Sequence, residues 1–138
     1  MYILIKDKQV TLAGMVANQE MIDEGYFEYV GEVPTYNIEY QTLVFNDDVI
    51  TVTTDTSKLA ELIESRIQTM LDTKAKELGY DNMVSACSYA GYPNKFQEEA
   101  VKLGTWRSNV WDKAYELQAS MTEVPTIEEV LNQLPKFE

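Results

Sequence analysis

The spacing of apolar residues changes once along this chain, and that change limits the fold more than any other feature. Ahead of Asp55-Thr56-Ser57 the apolar residues recur with a period of two; behind it they recur with a period of about 3.6. A period of two puts alternate side chains on one face of a strand, and 3.6 lines them along a helix. The pattern predicts an α+β chain with a boundary at this point: a β-rich domain over residues 1–56, then a helical domain of about four helices over residues 57–138. The 138 residues suffice for two small domains, and 45% hydrophobic content allows both to be packed.

In the front part, Tyr2-Ile3-Leu4-Ile5 reads as a strand followed by a polar turn at Lys6-Asp7-Lys8. Val10–Val16 is a second apolar run, interrupted by Gly14. Asn18 to Glu24 can form a short helix, with Asn18 as its N-cap and Gly25 accepting the left-handed conformation behind it. Tyr26 to Val30 returns to strand character until Gly31 and Pro34. Thr42–Phe45 and Val49–Thr53 are rich in β-branched and aromatic residues, with Asn46-Asp47-Asp48 expected as the hairpin loop between them.

In the rear part, Leu59, Ile63, Ile67, Met70, Leu71 and Leu78 line one face of a helix over about 57–78, which Gly79 ends. Asp81 is expected to cap a shorter helix holding Met83, Val84, Ala86, Cys87 and Ala90. A long helix over about 96–120 aligns Leu103, Trp106, Val110, Ala114, Leu117 and Met121, with Trp111 broadening the apolar stripe. Thr126 and Glu129 have the spacing of a capping box before a last helix that buries Ile127, Val130, Leu131 and Leu134 and stops at Pro135.

Charge narrows the range of partners. The chain carries −12, which repels phosphate backbones and anionic lipid surfaces, so neither nucleic acid nor membrane is an expected partner. The charge is uneven: residues 1–56 carry ten acids against Lys6 and Lys8, a net of −8, and residues 57–138 carry thirteen acids against nine bases, a net of −4. An acidic front half suits a basic protein partner, and it equally serves solubility alone. No apolar run approaches the ~20 residues that span a bilayer, and the four-residue apolar stretch in MYILIKDKQV is too short for a signal peptide. Cys87, the one cysteine, leaves no intrachain disulfide and is compatible with a reducing cytoplasm.

No histidine is present, which removes the commonest general base and most transition-metal sites. Cys87 has no histidine to activate it and reads as a small packed hydrophobe. The adjacent acids Asp47-Asp48, Glu98-Glu99 and Glu128-Glu129 could suggest glycosidase chemistry, but neighbours on a helix point in different directions. Asn46-Asp47-Asp48 lacks the spaced oxygen ligands of a calcium loop. The reading is therefore of a non-enzyme without metal or cofactor.

The aromatic residues carry more information. Nine tyrosines, two tryptophans and four phenylalanines are present, many of them in the helical half. Tyr89 and Tyr92 flank the break at Gly91. Arg107, Trp111 and Tyr115 follow one another at four-residue spacing, so Arg107 can stack on Trp111 and Trp111 on Tyr115. Tyr89, Tyr92, Phe96, Arg107, Trp111 and Tyr115 are the candidate partner interface, since such residues dominate interfaces when exposed. The same rings could instead fill the core of a small bundle.

The segment Gly79-Tyr80-Asp81-Asn82-Met83-Val84-Ser85-Ala86-Cys87-Ser88-Tyr89-Ala90 resembles a helical module of bacteriophage tail and tail-fibre-associated proteins. Phe96, Glu99, Arg107 and Trp111 follow in comparable places, and Val124–Val130 with Gln133-Leu134-Pro135 looks like the closing segment of that family. The resemblance covers roughly residues 59–138; in the front half, Gly31–Asn37 followed by a hairpin is similar to small phage tail proteins. It implies a virion component near the fibre or baseplate, made in the host cytoplasm. Its partners would be other tail or fibre proteins, or further copies of itself. It brings no catalytic residues. A tail-fibre assembly chaperone absent from the mature particle is the alternative, and a glycan-cleaving enzyme a remote one.

Overall fold

A computed structural model describes all of residues 1–138. The chain is α+β and divides into two compact units, Met1–Leu59 and Ala60–Glu138.

The front unit is a five-stranded antiparallel sheet in the order β3-β1-β2-β4-β5. Its strands are β1 (Tyr2–Lys6), β2 (Gln9–Gly14), β3 (Phe27–Glu28), β4 (Gln41–Asn46) and β5 (Val49–Thr54), with helix α1 (Gln19–Glu24) between β2 and β3. Two hairpins dominate it. Asp7 and Lys8 close the first with φ of 51° and 68°, and Asp47 and Asp48 the second with 50° and 62°. Positive φ at both central residues is the type I′ turn, whose twist matches that of the flanking strands. The second loop is thus two residues long, not three: Asn46 pairs with Val49 within the ladder. The strand expected over Tyr26–Val30 shrinks to two residues, because β3 pairs only through Glu28 to Tyr2 and Phe27 to Ile3. The expected caps of α1 are present. The Asn18 side chain accepts the Met21 amide, and Gly25 takes φ 108° as its own and the Tyr26 amides close back on Ile22 and Met21.

Ile3, Leu43 and Ile50 form the buried centre of the sheet, flanked by Tyr29, Phe45 and other half-buried side chains. The Tyr29 hydroxyl accepts the Ile50 amide at 3.3 Å. Tyr29 follows β3 while Ile50 lies on β5, at opposite ends of the strand order. Four strand spacings of about 4.8 Å lie between them in a flat sheet, farther than one tyrosine reaches, so the sheet curls around Tyr29. Gly31 permits this, since a Cβ there would overlap the Tyr29 phenol.

Helix α2 (Thr56–Glu77) begins in the front unit, with the Asp55 carboxylate accepting the Lys58 amide, and continues into the rear unit. The rear unit adds α3 (Met83–Ser88), a 3-10 turn (Tyr89–Gly91), α4 (Gln97–Ser120) and α5 (Ile127–Asn132). Its core is larger than that of the sheet and includes Ile67, Leu71, Met83, Leu103, Trp106 and Val110. Each large side chain buried this way contributes roughly 1.5–3 kcal/mol. Leu78, expected on the buried face of α2, is 38% exposed. It lies past the last helical residue, where Gly79 turns the chain at φ 98° and the Tyr80 amide reaches back to the Ala75 carbonyl. Asn82, rather than Asp81, caps α3 by accepting the Ser85 amide. The Asp72 carboxylate of α2 accepts the Met83 amide at 2.9 Å, so α3 is capped twice. Val84 faces solvent, 60% exposed, on the side of α3 turned from the core. The capping box of α5 forms as expected between Thr126 and Glu129.

Candidate functional site

The break between α3 and α4 gathers four rings of the rear unit, two of them half-buried and two exposed. Pro93 holds Tyr92 extended, at φ −153° and ψ 158°. Asn94 then ties the turn together. Its Nδ2 donates to the Tyr89 carbonyl at 2.8 Å and the Tyr92 carbonyl at 2.7 Å, and its Oδ1 accepts the Phe96 amide at 2.8 Å. The Gln97 amide group adds a bond to the Ala90 carbonyl at 3.2 Å. The backbone carrying Tyr89, Tyr92 and Phe96 is fixed by these bonds rather than left to the rings themselves.

Tyr89 is the centre of the ring group. Its centroid lies 5.2 Å from Phe96, 5.7 Å from Tyr80 and 6.5 Å from Tyr92, and Tyr80 lies 6.2 Å from Phe96. The Phe96 pairs are edge-to-face and the tyrosine pairs tilted, the arrangements that favour aromatic pairs by about 0.5–1.5 kcal/mol each. The Lys95 ammonium sits 5.0 Å over the Phe96 ring. Tyr80 donates its hydroxyl to Glu99 Oε1 at 2.7 Å. Desolvation first, and then this hydrogen bond and the negative charge of Glu99, push the Tyr80 pKa up to about 12. Tyr80 therefore keeps its proton, and its bond to Glu99, at pH values where a free tyrosine is already ionised, and its ring stays against Tyr89. Tyr92 is 52% exposed and Phe96 39%, so the group forms a ring-faced platform open to solvent. Such a surface offers rigid apolar area with phenol hydroxyls at its margin, the composition of an interface anchor.

Of the six candidate interface residues, Tyr89, Tyr92 and Phe96 come together here. The other three lie elsewhere on α4: Trp111 is fifteen residues beyond Phe96, about 22 Å along the helix. Trp111 and Tyr115 do pair, with centroids 6.3 Å apart. Trp111 is half-buried against the core while Tyr115 is 61% exposed. Arg107 makes no cation–π contact with Trp111; the one such contact is that of Lys95 on Phe96. Trp106 belongs to the core, its Nε1 donating to the Pro135 carbonyl at 2.8 Å and its ring meeting Phe137 edge-on. Tyr80, Asn94, Lys95 and Glu99 join the platform without having been singled out as interface residues. The first and last are nineteen positions apart, and only the α2–α3–α4 arrangement brings them together.

Cys87 is half-buried, its Sγ 3.7 Å from Met83 Sδ. Glu129 is engaged by its capping role and Glu99 by Tyr80. No helix is long and apolar enough to cross a membrane. Neither a protein-family model, nor a curated protein, nor a solved structure matches the chain.

Proposed function

We propose that this chain is a non-enzymatic component of a bacteriophage tail, placed near the fibre or baseplate, which works by holding neighbouring proteins. The observation that carries the docking role is the platform at the α3–α4 break. Its backbone is preset by Asn94 and its rings by mutual packing, so a partner meets anchors that lose little freedom on binding. The tail assignment is supported by the resemblance of Gly79–Ala90 and of the closing segment around Val124–Pro135 to tail-associated proteins.

Mass spectrometry and immunogold labelling of purified particles test the assignment. The expected result is the chain in constant stoichiometry with other tail proteins and labelled at the tail tip. Presence in lysates with absence from particles would replace this reading with that of an assembly chaperone. Tyr92→Ala is expected to remove the protein from particles while leaving the fold intact, since its ring is 52% exposed and meets only that of Tyr89.

A further inference from the structure

The sheet register places the most exposed apolar side chains of the molecule at one end of the front unit. Tyr2 pairs with both Gly14 and Glu28, so Met15 and Val16 after β2, and Val30 after β3, leave the sheet at the end where Met1 lies. The Tyr29 amide donates to the Met1 carbonyl at 2.7 Å, which fixes that placement. Strand β4 runs antiparallel to β2 and begins at Gln41, opposite Thr54, so Ile38 precedes it at the same end. The exposures there are Met15 76%, Val16 81%, Val30 91% and Ile38 81%; the next large apolar residue anywhere in the chain is Tyr115 at 61%. Scattered single apolar residues on a surface need no explanation, but the four most exposed ones at a single end of a sheet call for one.

Exposed acids border these side chains. Lys6 and Lys8, the only lysines before residue 56, are at the opposite end of the sheet, together with Asp7, Asp47 and Asp48 of the two hairpin turns. At the apolar end stand the exposed acids Glu28, Glu32 and Glu39, the first two flanking Val30 and the third next to Ile38. The cations at this end are the Met1 ammonium, which donates to the Tyr29 carbonyl, and Lys58 on the first turn of α2.

We infer that the Met1 end of the sheet is a second docking surface, distinct from the ring platform, which receives a cationic amphipathic segment of another protein. The four apolar side chains would meet the apolar face of that segment, and Glu28, Glu32 and Glu39 its lysines or arginines. Charge decides against a second copy as occupant: two such ends would bring six glutamates together, on chains that each carry −12. It decides against an anionic lipid surface for the same reason. The inference does not depend on the tail assignment.

The test is a methyl-resolved NMR titration of the full chain with a helical peptide of leucine and lysine, beside a leucine–glutamate counterpart. The expected result is that the leucine–lysine peptide shifts the methyls of Met15, Val16, Val30 and Ile38, that salt weakens it, and that the leucine–glutamate peptide does not bind. The variant carrying Met15→Ser, Val16→Ser, Val30→Ser and Ile38→Ser is expected to weaken binding by about tenfold or more with an unchanged melting curve. Glu28→Lys, Glu32→Lys and Glu39→Lys together are expected to weaken it similarly and to abolish its salt dependence. Equal binding by the serine variant, or shifts confined to methyls of the rear unit such as those of Val84 and Val101, would overturn the inference. So would a concentration-dependent dimer of the chain alone that the serine variant loses, or binding of the chain to phosphatidylcholine vesicles in place of the peptide.

Discussion

Replacing Asn94 by alanine tests whether the platform is preset by its backbone. The substitution deletes three hydrogen bonds, to the Tyr89 carbonyl, the Tyr92 carbonyl and the Phe96 amide. A net 0.5–1.5 kcal/mol for each would give roughly 1.5–4.5 kcal/mol. Water can replace the bonds at the exposed Tyr92 and Phe96 more readily than the one at the half-buried Tyr89, which brings the expected loss to about 2 kcal/mol. Both tryptophans lie on α4, so urea unfolding followed by tryptophan fluorescence reports the unit that contains the platform. The midpoint is expected to fall at unchanged slope. The nuclear Overhauser contacts between the Tyr89 and Phe96 rings are expected to weaken. A loss below about 0.5 kcal/mol, with those ring contacts intact, would mean that the rings organise the turn and that Asn94 merely follows.

Three further outcomes are expected. Trp106→Phe removes the donor to the Pro135 carbonyl and leaves a gap beside Phe137; it is expected to cost about 2 kcal/mol and to hasten carboxypeptidase trimming of the C-terminal residues. Asp47→Asn with Asp48→Gly supplies the residues a type I′ turn favours at positions now at φ 50° and 62°, and should stabilise the front unit by about 1 kcal/mol, read as slower amide exchange in β4 and β5. Tyr80 has a folded pKa of about 12 against 10.0 for the free side chain. Its contribution to stability is full below pH 10 and is lost as pH rises through 12, because the unfolded chain releases the proton first. Tyr80→Phe is expected to flatten that part of the stability profile, and to remove the step near pH 12 from the tyrosine absorbance titration.

Period and capping chemistry made much of this fold legible in the sequence. The switch at Asp55–Ser57 marks where strands give way to helices, and Asn18, Gly25, Gly79, Thr126 and Glu129 occupy the terminal positions their side chains favour. The departures have local causes. Asp47-Asp48 and Asp7-Lys8 adopt left-handed conformations without glycine, so no residue there announces a two-residue turn. Asp81 and Asn82 are both able to cap a helix, and geometry alone selects the second. Within the candidate site, Tyr89, Tyr92 and Phe96 were legible because eight consecutive positions contain all three. The Tyr80–Glu99 bond and the clamp of Asn94 depend on tertiary placement that no spacing encodes. Met15 and Val16 read as the end of a strand run, whereas Gly14 at φ 114° turns the chain out of the sheet and leaves both in solvent.

The missing side chain at position 31 bears on the exposed edge of the sheet. Strand β5 borders the sheet with the sequence Val49-Ile50-Thr51-Val52-Thr53-Thr54, which contains no charge and no proline to discourage pairing with another chain. The phenol of Tyr29 guards its first outward-facing amide, and it reaches that amide because Gly31 leaves room for the ring. One methyl group at Gly31 would push the guard aside and uncover a ready template for fibrillar stacking. Cover for that edge thus depends on a residue outside the strands, through the ring it makes room for.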